Sequence, residues 1–305
     1  MVNPTLVITG ANGWVGNNVY QALAPYYHLI LVDKQKGCDP HNRYGLERME
    51  KNEGDPLPDT LIQQIDLASE YDKFSKLLDQ HKPICVIHLA SILENQAEDT
   101  IIDKNRRIHT TVLEACAKRS IHVIATSSIM IMYGVALSLP NISNLWQNGI
   151  SDIKHQLDSN TTLNNTEQTI REFDENNWRS NLAYIKSKEF LETQLQVLAK
   201  ENPNCTMVAI RLGWTGIKNP YELEDKNKKY SEIPFYLDTT DLQQFFVALT
   251  EAVLSYKING YKCYICVSEH AQQWVSIDNV YQELGWKPQV NIESKYTPHK
   301  KMSPH

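Results

Sequence analysis

Tyr184-Ile185-Lys186-Ser187-Lys188 places a phenol and an ammonium four residues apart. On a helix that spacing is about one turn, so the two side chains share a face. An ammonium beside a phenol stabilises the phenolate, which suits the phenol to proton transfer near neutral pH. The same ammonium can bind a ribose hydroxyl. Ser127-Ser128 ends an apolar run elsewhere in the chain, and either hydroxyl could hold a reacting oxygen. Taken alone, Tyr-x-x-x-Lys also describes an amphipathic helix with a snorkelling lysine.

A second cluster lies near the start. The apolar run Leu6–Thr9 breaks into Gly10-Ala11-Asn12-Gly13-Trp14-Val15-Gly16, and an amphipathic stretch follows through Leu23. Strand, glycine-rich turn and helix start form a dinucleotide-binding signature. The helix start offers N–H groups and a positive dipole end to a pyrophosphate. The competing reading is a tight turn with no ligand. Asp33 closes the next apolar run, His28–Val32, 20 positions past Gly13. An acid there accepts hydrogen bonds from adenosine ribose hydroxyls and repels a 2′-phosphate, which argues for NAD over NADP. Lys34 and Lys36 pull the other way.

The elements that must hold these residues alternate. Strands are expected at 61–65, 84–89, 121–126 and 206–212, beyond the two just named. Helices are expected from about Ser69, over 97–118, over 180–200 and over 277–284. Thr239 or Thr240 is expected to cap a further helix with Leu242, Phe245, Phe246, Leu249 and Val253 inward. Tyr184, Lys188, Leu191, Leu195 and Leu198 step by four, three, four and three along the helix over 180–200, so the pair faces the sheet. Ile84–Leu89 is apolar throughout, as a parallel strand covered on both faces should be. Asn105 falls on the apolar stripe of its helix, so a specific partner is expected. The fold class is therefore α/β, with a doubly wound parallel sheet and ligands at the carboxyl ends of its strands. Residues 37–58 read as loop and 217–237 as a charged loop. Residues 137–180, rich in Asn, Ser and Thr, read as a surface insertion with short helices around 142–150 and 167–173. The tail after Tyr296 reads as loose.

The 305 residues are 42% hydrophobic with a net charge of −6. That suits one large domain with a small lobe and gives no basic stripe for nucleic acid. No apolar run approaches the ~18 residues of a membrane span. Leu6 opens a strand at once, so no signal peptide and a cytoplasmic location are expected. Cys38, Cys85, Cys116 and Cys205 are scattered. Cys263 and Cys266 form a CxxC pair within one expected strand, where they point to opposite faces, so neither metal nor redox chemistry is expected there.

Several of these residues together carry a resemblance. Thr9-Gly10-x-x-Gly13-x-x-Gly16, Asp66-Leu67, His88-Leu89-Ala90, Asn105, Ser127-Ser128, Tyr184-x-x-x-Lys188 and Arg211-Leu212-Gly213 resemble the extended short-chain dehydrogenase/reductase family, also called NAD-dependent epimerase/dehydratases. The resemblance covers most of the chain. It implies a Rossmann fold with a small C-terminal substrate lobe, built mainly from 213–240 and 265–305. It also implies NAD(P) and a catalytic set in which Ser128 orients substrate, Tyr184 is the acid/base and Lys188 tunes it. The implied cofactor wall comprises Gly10, Asn12, Gly13, Trp14, Val15, Gly16, Asp33, Asp66, Leu67, Leu89, Ala90, Ser91 and Asn105, with Tyr184 and Lys188. The implied substrate wall comprises Ser91, Ser128, Ile129, Met130 and Trp214, with no metal. Family members often form a homodimer through the helices bearing Asn105 and Tyr184. Those helices show no clean second apolar stripe here, so the sequence leaves the oligomeric state open.

Within the family the chain is most similar to the uronate dehydrogenases, which oxidise C1 of a hexuronic acid to a lactone with NAD. Leu23-Ala24-Pro25, Glu114-Ala115, Thr240-Asp241-Leu242 and Leu284-Gly285-Trp286-Lys287-Pro288 carry that likeness. Departures fall on the substrate side. Ile129 and Met130 replace Asn-His, and Trp214 replaces a serine. Ser231 stands where an arginine grips the sugar carboxylate, with Lys218, Lys226, Lys228 and Lys229 only nearby. Each lost charge-assisted bond is worth about 1.5–3 kcal/mol. Ser128 and Tyr184 also stand 56 positions apart, further than the family's usual interval, and the Asn-rich insertion accounts for the excess.

The resulting expectation is an NAD-dependent oxidoreductase acting on a hydroxyl of a sugar or sugar acid other than free uronate. One alternative is a nucleotide-sugar epimerase or dehydratase, against which the short C-terminal lobe speaks. The other is a non-catalytic NAD-binding protein with the insertion as its contact surface.

Overall fold

The computed structural model describes residues 3–35, 61–93, 97–134, 157–161, 163, 165–173, 175–222, 233–271, 273 and 275–296. Seven strands form one sheet: β1 Thr5–Thr9, β2 His28–Asp33, β3 Ile62–Gln64, β4 Cys85–His88, β5 His122–Thr126, β6 Met207–Leu212 and β7 Tyr261–Cys266. Their order is β3-β2-β1-β4-β5-β6-β7, and every pairing is parallel. The fold is the expected doubly wound α/β Rossmann arrangement.

Side-chain alternation explains why the strands are apolar at successive positions. In β1, Leu6 and Ile8 join one core cluster and Val7 the other. In β4, Cys85 and Ile87 face one way and Val86 the other. Each such buried aliphatic side chain contributes roughly 1.5–3 kcal/mol. Helices α1 (Trp14–Leu23) and α6 (Thr239–Leu254) cover the first face. Helices α2 (Tyr71–His81), α3 (Glu98–Ala117) and α5 (Trp178–Glu201) cover the second. Between them in chain order lies the short α4 (Glu167–Phe173), and α7 (Asp278–Leu284) and α8 (Ile292–Lys295) close the described chain.

Register aligns the strand ends that matter. Thr9 pairs with Val32 on one side and His88 on the other, His88 with Ala125, and Thr126 with Ile210. The turns after β1, β2, β4, β5 and β6 therefore leave the sheet along one edge. Cys263 packs toward the second core and Cys266 lies in the first, so the CxxC pair spans the sheet as expected. Both are free thiols.

Three expectations need correction. The cap of α6 is Asp238, one residue before Thr239, because its carboxylate accepts the Thr240 N–H at 2.9 Å. The insertion is more than a surface excursion where it is described. Asn165 is buried, accepts the Gly134 N–H and donates to the Ile131 carbonyl and to Glu189. Leu157 pairs with Val275, and its carbonyl accepts the Ser276 N–H. The charged loop over 217–237 holds two 3-10 turns, Pro220–Glu222 and Ile233–Phe235, and Phe235, Tyr236 and Leu237 are buried. The helix expected over 142–150, the loop over 37–58, Cys38, Ser231, Lys226, Lys228, Lys229 and the tail after Tyr296 lie outside the described residues. Among the described residues no helix is long and apolar enough to cross a membrane.

Candidate active site

The turn after β1 is shaped by contacts a side chain would forbid. Gly10 sits at φ 71°, and a Cβ there would lie 2.7 Å from the Ala90 nitrogen. A Cβ on Gly16 would strike the Gly10 carbonyl oxygen. Gly13 caps α1 without a side chain, and the first turn carries no acid. The N–H of Asn17 is the first to bond back, to the Gly13 carbonyl. The leading N–H groups of Trp14, Val15 and Gly16 thus stand at a positive helix end that has no side-chain cap and no acid in its first turn. Asp33 flanks this cradle. Its carboxylate accepts the Asn12 N–H at 3.0 Å and the Gln35 N–H at 3.2 Å. Burial pushes the Asp33 carboxyl above its usual range, and the two backbone N–H groups oppose that. A bare-backbone anion cradle next to a carboxylate fits the pyrophosphate and ribose of a dinucleotide.

The cradle opens into a cleft of ≈ 680 Å³ along the carboxyl edge of the sheet. Gly10, Asn12, Gly13, Trp14, Val15, Gly16, Asp33, Asp66, Leu67, Leu89, Ala90 and Ser91 line one half. Ser128, Ile129, Met130, Tyr184, Lys188 and Trp214 line the other. Asn105 is the exception among the expected residues. It is buried behind the wall, where its amide accepts the Ile92 N–H at 2.6 Å and donates to the Ile92 carbonyl and to Ser187. It fixes the wall at Ser91–Ile92 instead of forming it.

Helix α5 delivers the phenol and the ammonium. Tyr184 is 7% exposed and packs with Ile101 and Ala183. Lys188 is 2% exposed, and its Nζ donates to the Thr126 carbonyl at 2.9 Å. That Nζ lies 5.4 Å from the centre of the Tyr184 ring. Ser128 follows β5 and caps the 3-10 helix Ile129–Met132, its Oγ accepting the Met130 N–H at 3.2 Å. The two serines have different work. Ser127 donates to Glu192 at 2.6 Å, while Ser128 lines the cleft with its Oγ accepting the Met130 N–H.

Two groups behind the cleft join Arg211, Thr9 and His88 of the sequence motifs to Glu192 and His109, which sequence reasoning missed. Glu192 pairs with Arg211 through both carboxylate oxygens, at 3.0 and 2.9 Å, in a nearly water-free position. Burial would lower the Arg211 pKa, but the bonded carboxylate outweighs it and holds it raised. The signal was present: Glu192 lies one turn past Lys188 on the buried stripe. The second group is a chain in which Thr9 Oγ1 meets His88 Nδ1 at 2.8 Å and His88 Nε2 meets His109 Nδ1 at 2.9 Å. Burial, then the Lys188 charge, lowers the His88 pKa to about 3 and holds His109 well below the usual range. His109 Nε2 has no hydrogen-bond partner among the described residues.

Asn177, Ser180 and Asn181, at the start of α5, also line the cleft and were not among the expected residues. Tyr133 and Leu93 add apolar surface there, and among the described lining residues there is no arginine.

Solved structures share this architecture. Uronate dehydrogenase from Agrobacterium tumefaciens is similar with a TM-score of 0.65 at 18% identity, covering 100% of this chain and 92% of that one. A UDP-glucose 4-epimerase from Bifidobacterium longum, solved with NAD+ and UDP, gives 0.62 at 17%, covering 97% and 100%. L-threonine 3-dehydrogenase from Trypanosoma brucei gives 0.59 at 14%, covering 95% and 94%. No curated protein sequence matches the chain. The model of the NAD dependent epimerase/dehydratase family matches residues 6–215, the stretch from β1 to the turn after β6 that builds both halves of the cleft. The chain belongs to that family, and with it to the enzymes of the extended short-chain dehydrogenase/reductase type.

Proposed function

We propose that the protein is an NAD-dependent oxidoreductase that oxidises a hydroxyl of a sugar or sugar-acid substrate. The observation that carries this reading is Lys188, buried under Tyr184 and tied to the Thr126 carbonyl, in the same cleft as the glycine cradle and Asp33. Ser128 donates to the substrate oxygen and holds it toward Tyr184. Tyr184 takes the hydroxyl proton as general base, and Lys188 stabilises the phenolate that makes this favourable. Bound along the cleft, NAD supplies the hydride acceptor. Gly10, Gly13 and Gly16 admit its pyrophosphate, and Asp33 selects an unphosphorylated ribose. In the reverse direction Tyr184 returns the proton to a carbonyl.

Among the described residues, the substrate half carries no arginine. Ile129, Met130, Tyr133 and Trp214 line it with Asn177, Ser180 and Asn181. This combination supports a substrate with neutral hydroxyls and an apolar or deoxygenated face over a free uronate. The test is a screen of the purified protein with NAD against aldoses, deoxy sugars, uronates and sugar nucleotides at 340 nm. Turnover on a neutral sugar, abolished in Tyr184→Phe, is expected. Turnover confined to sugar nucleotides without net NADH formation would mark an epimerase instead. NAD binding with no turnover on any substrate would mark a non-catalytic binder.

A further inference from the structure

We propose that Arg211 is a positioning residue that sets Ser128 against Lys188 through a buried clamp formed with Glu192. The proposal rests on the Ser128–Tyr184–Lys188 reading above. The clamp joins three elements. Glu192 lies four residues after Lys188 on α5, so the two side chains leave the same face one turn apart. Its carboxylate accepts the Ser127 hydroxyl at 2.6 Å, at the residue just before Ser128. It also accepts Arg211 Nε–H and Nη2–H from the end of β6. The third guanidinium nitrogen, Nη1, donates to Met132 Sδ at 3.0 Å, at the last residue of the 3-10 helix that Ser128 caps. Both ends of the turn carrying Ser128 are thereby tied to the helix carrying Tyr184 and Lys188. The Lys188–Thr126 bond ties the same strand end a third time.

Neither Glu192, Arg211 nor Met132 lines the cleft. A planar, forked guanidinium suits the position, because it can hold a carboxylate on one edge while another N–H reaches the sulfur. A buried ion pair is a weak source of stability, and apolar residues of similar volume often replace one without loss. The pair sits where the three elements that carry the chemistry meet, which is the place where orientation matters to the reaction.

The test exploits that difference. Glu192→Met/Arg211→Met in the full chain removes the clamp without leaving either partner's charge buried and unpaired. The double variant is expected to unfold cooperatively near the wild-type midpoint and to bind NADH within about twofold, because the cradle is untouched. Its kcat on the substrate found in the screen is expected to fall about a hundredfold, with KM changed far less. Amide exchange in the peptide over 127–134 is expected to speed up while β1 and β4 keep their protection. Arg211→Lys keeps the charge but loses the fork, and an intermediate kcat is expected. Ser127→Ala removes one bond only and keeps the test open if the double variant does not fold; a several-fold kcat loss is expected. A folded double variant, or a folded Ser127→Ala protein, with wild-type kcat and unchanged exchange over 127–134 overturns the proposal. If the wild-type protein turns over no substrate, the functional reading is what fails, and the exchange measurement alone decides the clamp.

Discussion

Replacing Tyr184 by Phe removes the proton carrier and keeps the ring that packs with Ile101 and Ala183. A loss in kcat of about 10²–10⁴-fold is expected, with NADH affinity within about twofold, read at 340 nm and by fluorescence titration. Undiminished NAD reduction would remove Tyr184 from the mechanism. Asp33 gives a prediction in pH. Burial raises its pKa, so the carboxylate is charged above that raised value and neutral below it. A protonated Asp33 accepts less well from ribose hydroxyls. NAD affinity, measured by calorimetry from about pH 7 to pH 4, should therefore fall at a higher pH than for an ordinary aspartate, and Asp33→Asn should bind weakly and flatly across that range. These residues were legible because local spacing fixes them: a glycine turn, a strand-end acid, a pair one helical turn apart. The division between Ser127 and Ser128 came from the resemblance and not from spacing, since its physical cause is Glu192, 65 positions downstream. Asn105 was legible as a polar residue needing a partner. That its amide would be consumed by Ile92 instead of facing the cleft follows from a backbone path no periodicity encodes.

At the scale of elements, Asp238 joins a helix start to the end of the described chain. It caps α6 and also accepts from Lys295 Nζ and the Tyr296 hydroxyl, at 2.6 and 2.7 Å. Burial works to raise its pKa, but those donors win and the carboxyl stays below its usual range. Asp238→Ala removes a cap and strands the buried Tyr296 hydroxyl, so a loss of about 2–4 kcal/mol is expected in urea unfolding. A loss within about 0.5 kcal/mol would show that the segment carrying α8 is not held this way. Asp241 does similar work one turn on, accepting the Ser268 hydroxyl and the Gln289 and Val290 N–H groups. Thr240-Asp241-Leu242 looked like a family signature in the sequence. Its physical reason is this grip on the chain that follows Pro288. The helix cap was misread by one residue because Asp, Thr and Thr all cap well, and only the tertiary donors decide among them.

Across the whole molecule, His88 and His109 lie neutral between β4 and α3 behind the cleft. Above about pH 6.5 neither the folded nor the unfolded chain charges them. As pH falls below that, the unfolded chain binds protons that the folded chain refuses until about pH 3 for His88. Stability must fall with pH across this window, by up to about 1.4 kcal/mol per unit for each histidine. Urea midpoints should show it, and a His88→Asn/His109→Thr variant should have a shallower slope. An unchanged slope would mean that the pair does not govern acid lability. The doubly wound parallel sheet was legible, since apolar runs alternating with amphipathic helices admit few topologies. The pinning of the insertion by Asn165, and of Leu157 by Ser276, was not, because those bonds join segments far apart in sequence. The order β3-β2-β1-β4-β5-β6-β7 has a consequence for synthesis. Strands β4 to β7 lie outward from β1 in the order in which they are synthesised, so the strands flanking the glycine turn leave the ribosome first. The grip of Asp238 and Asp241 on residues 289–296 comes last. A nascent chain halted before that point would carry the glycine turn and Asp33 with Asp238 and Asp241 still lacking their C-terminal donors.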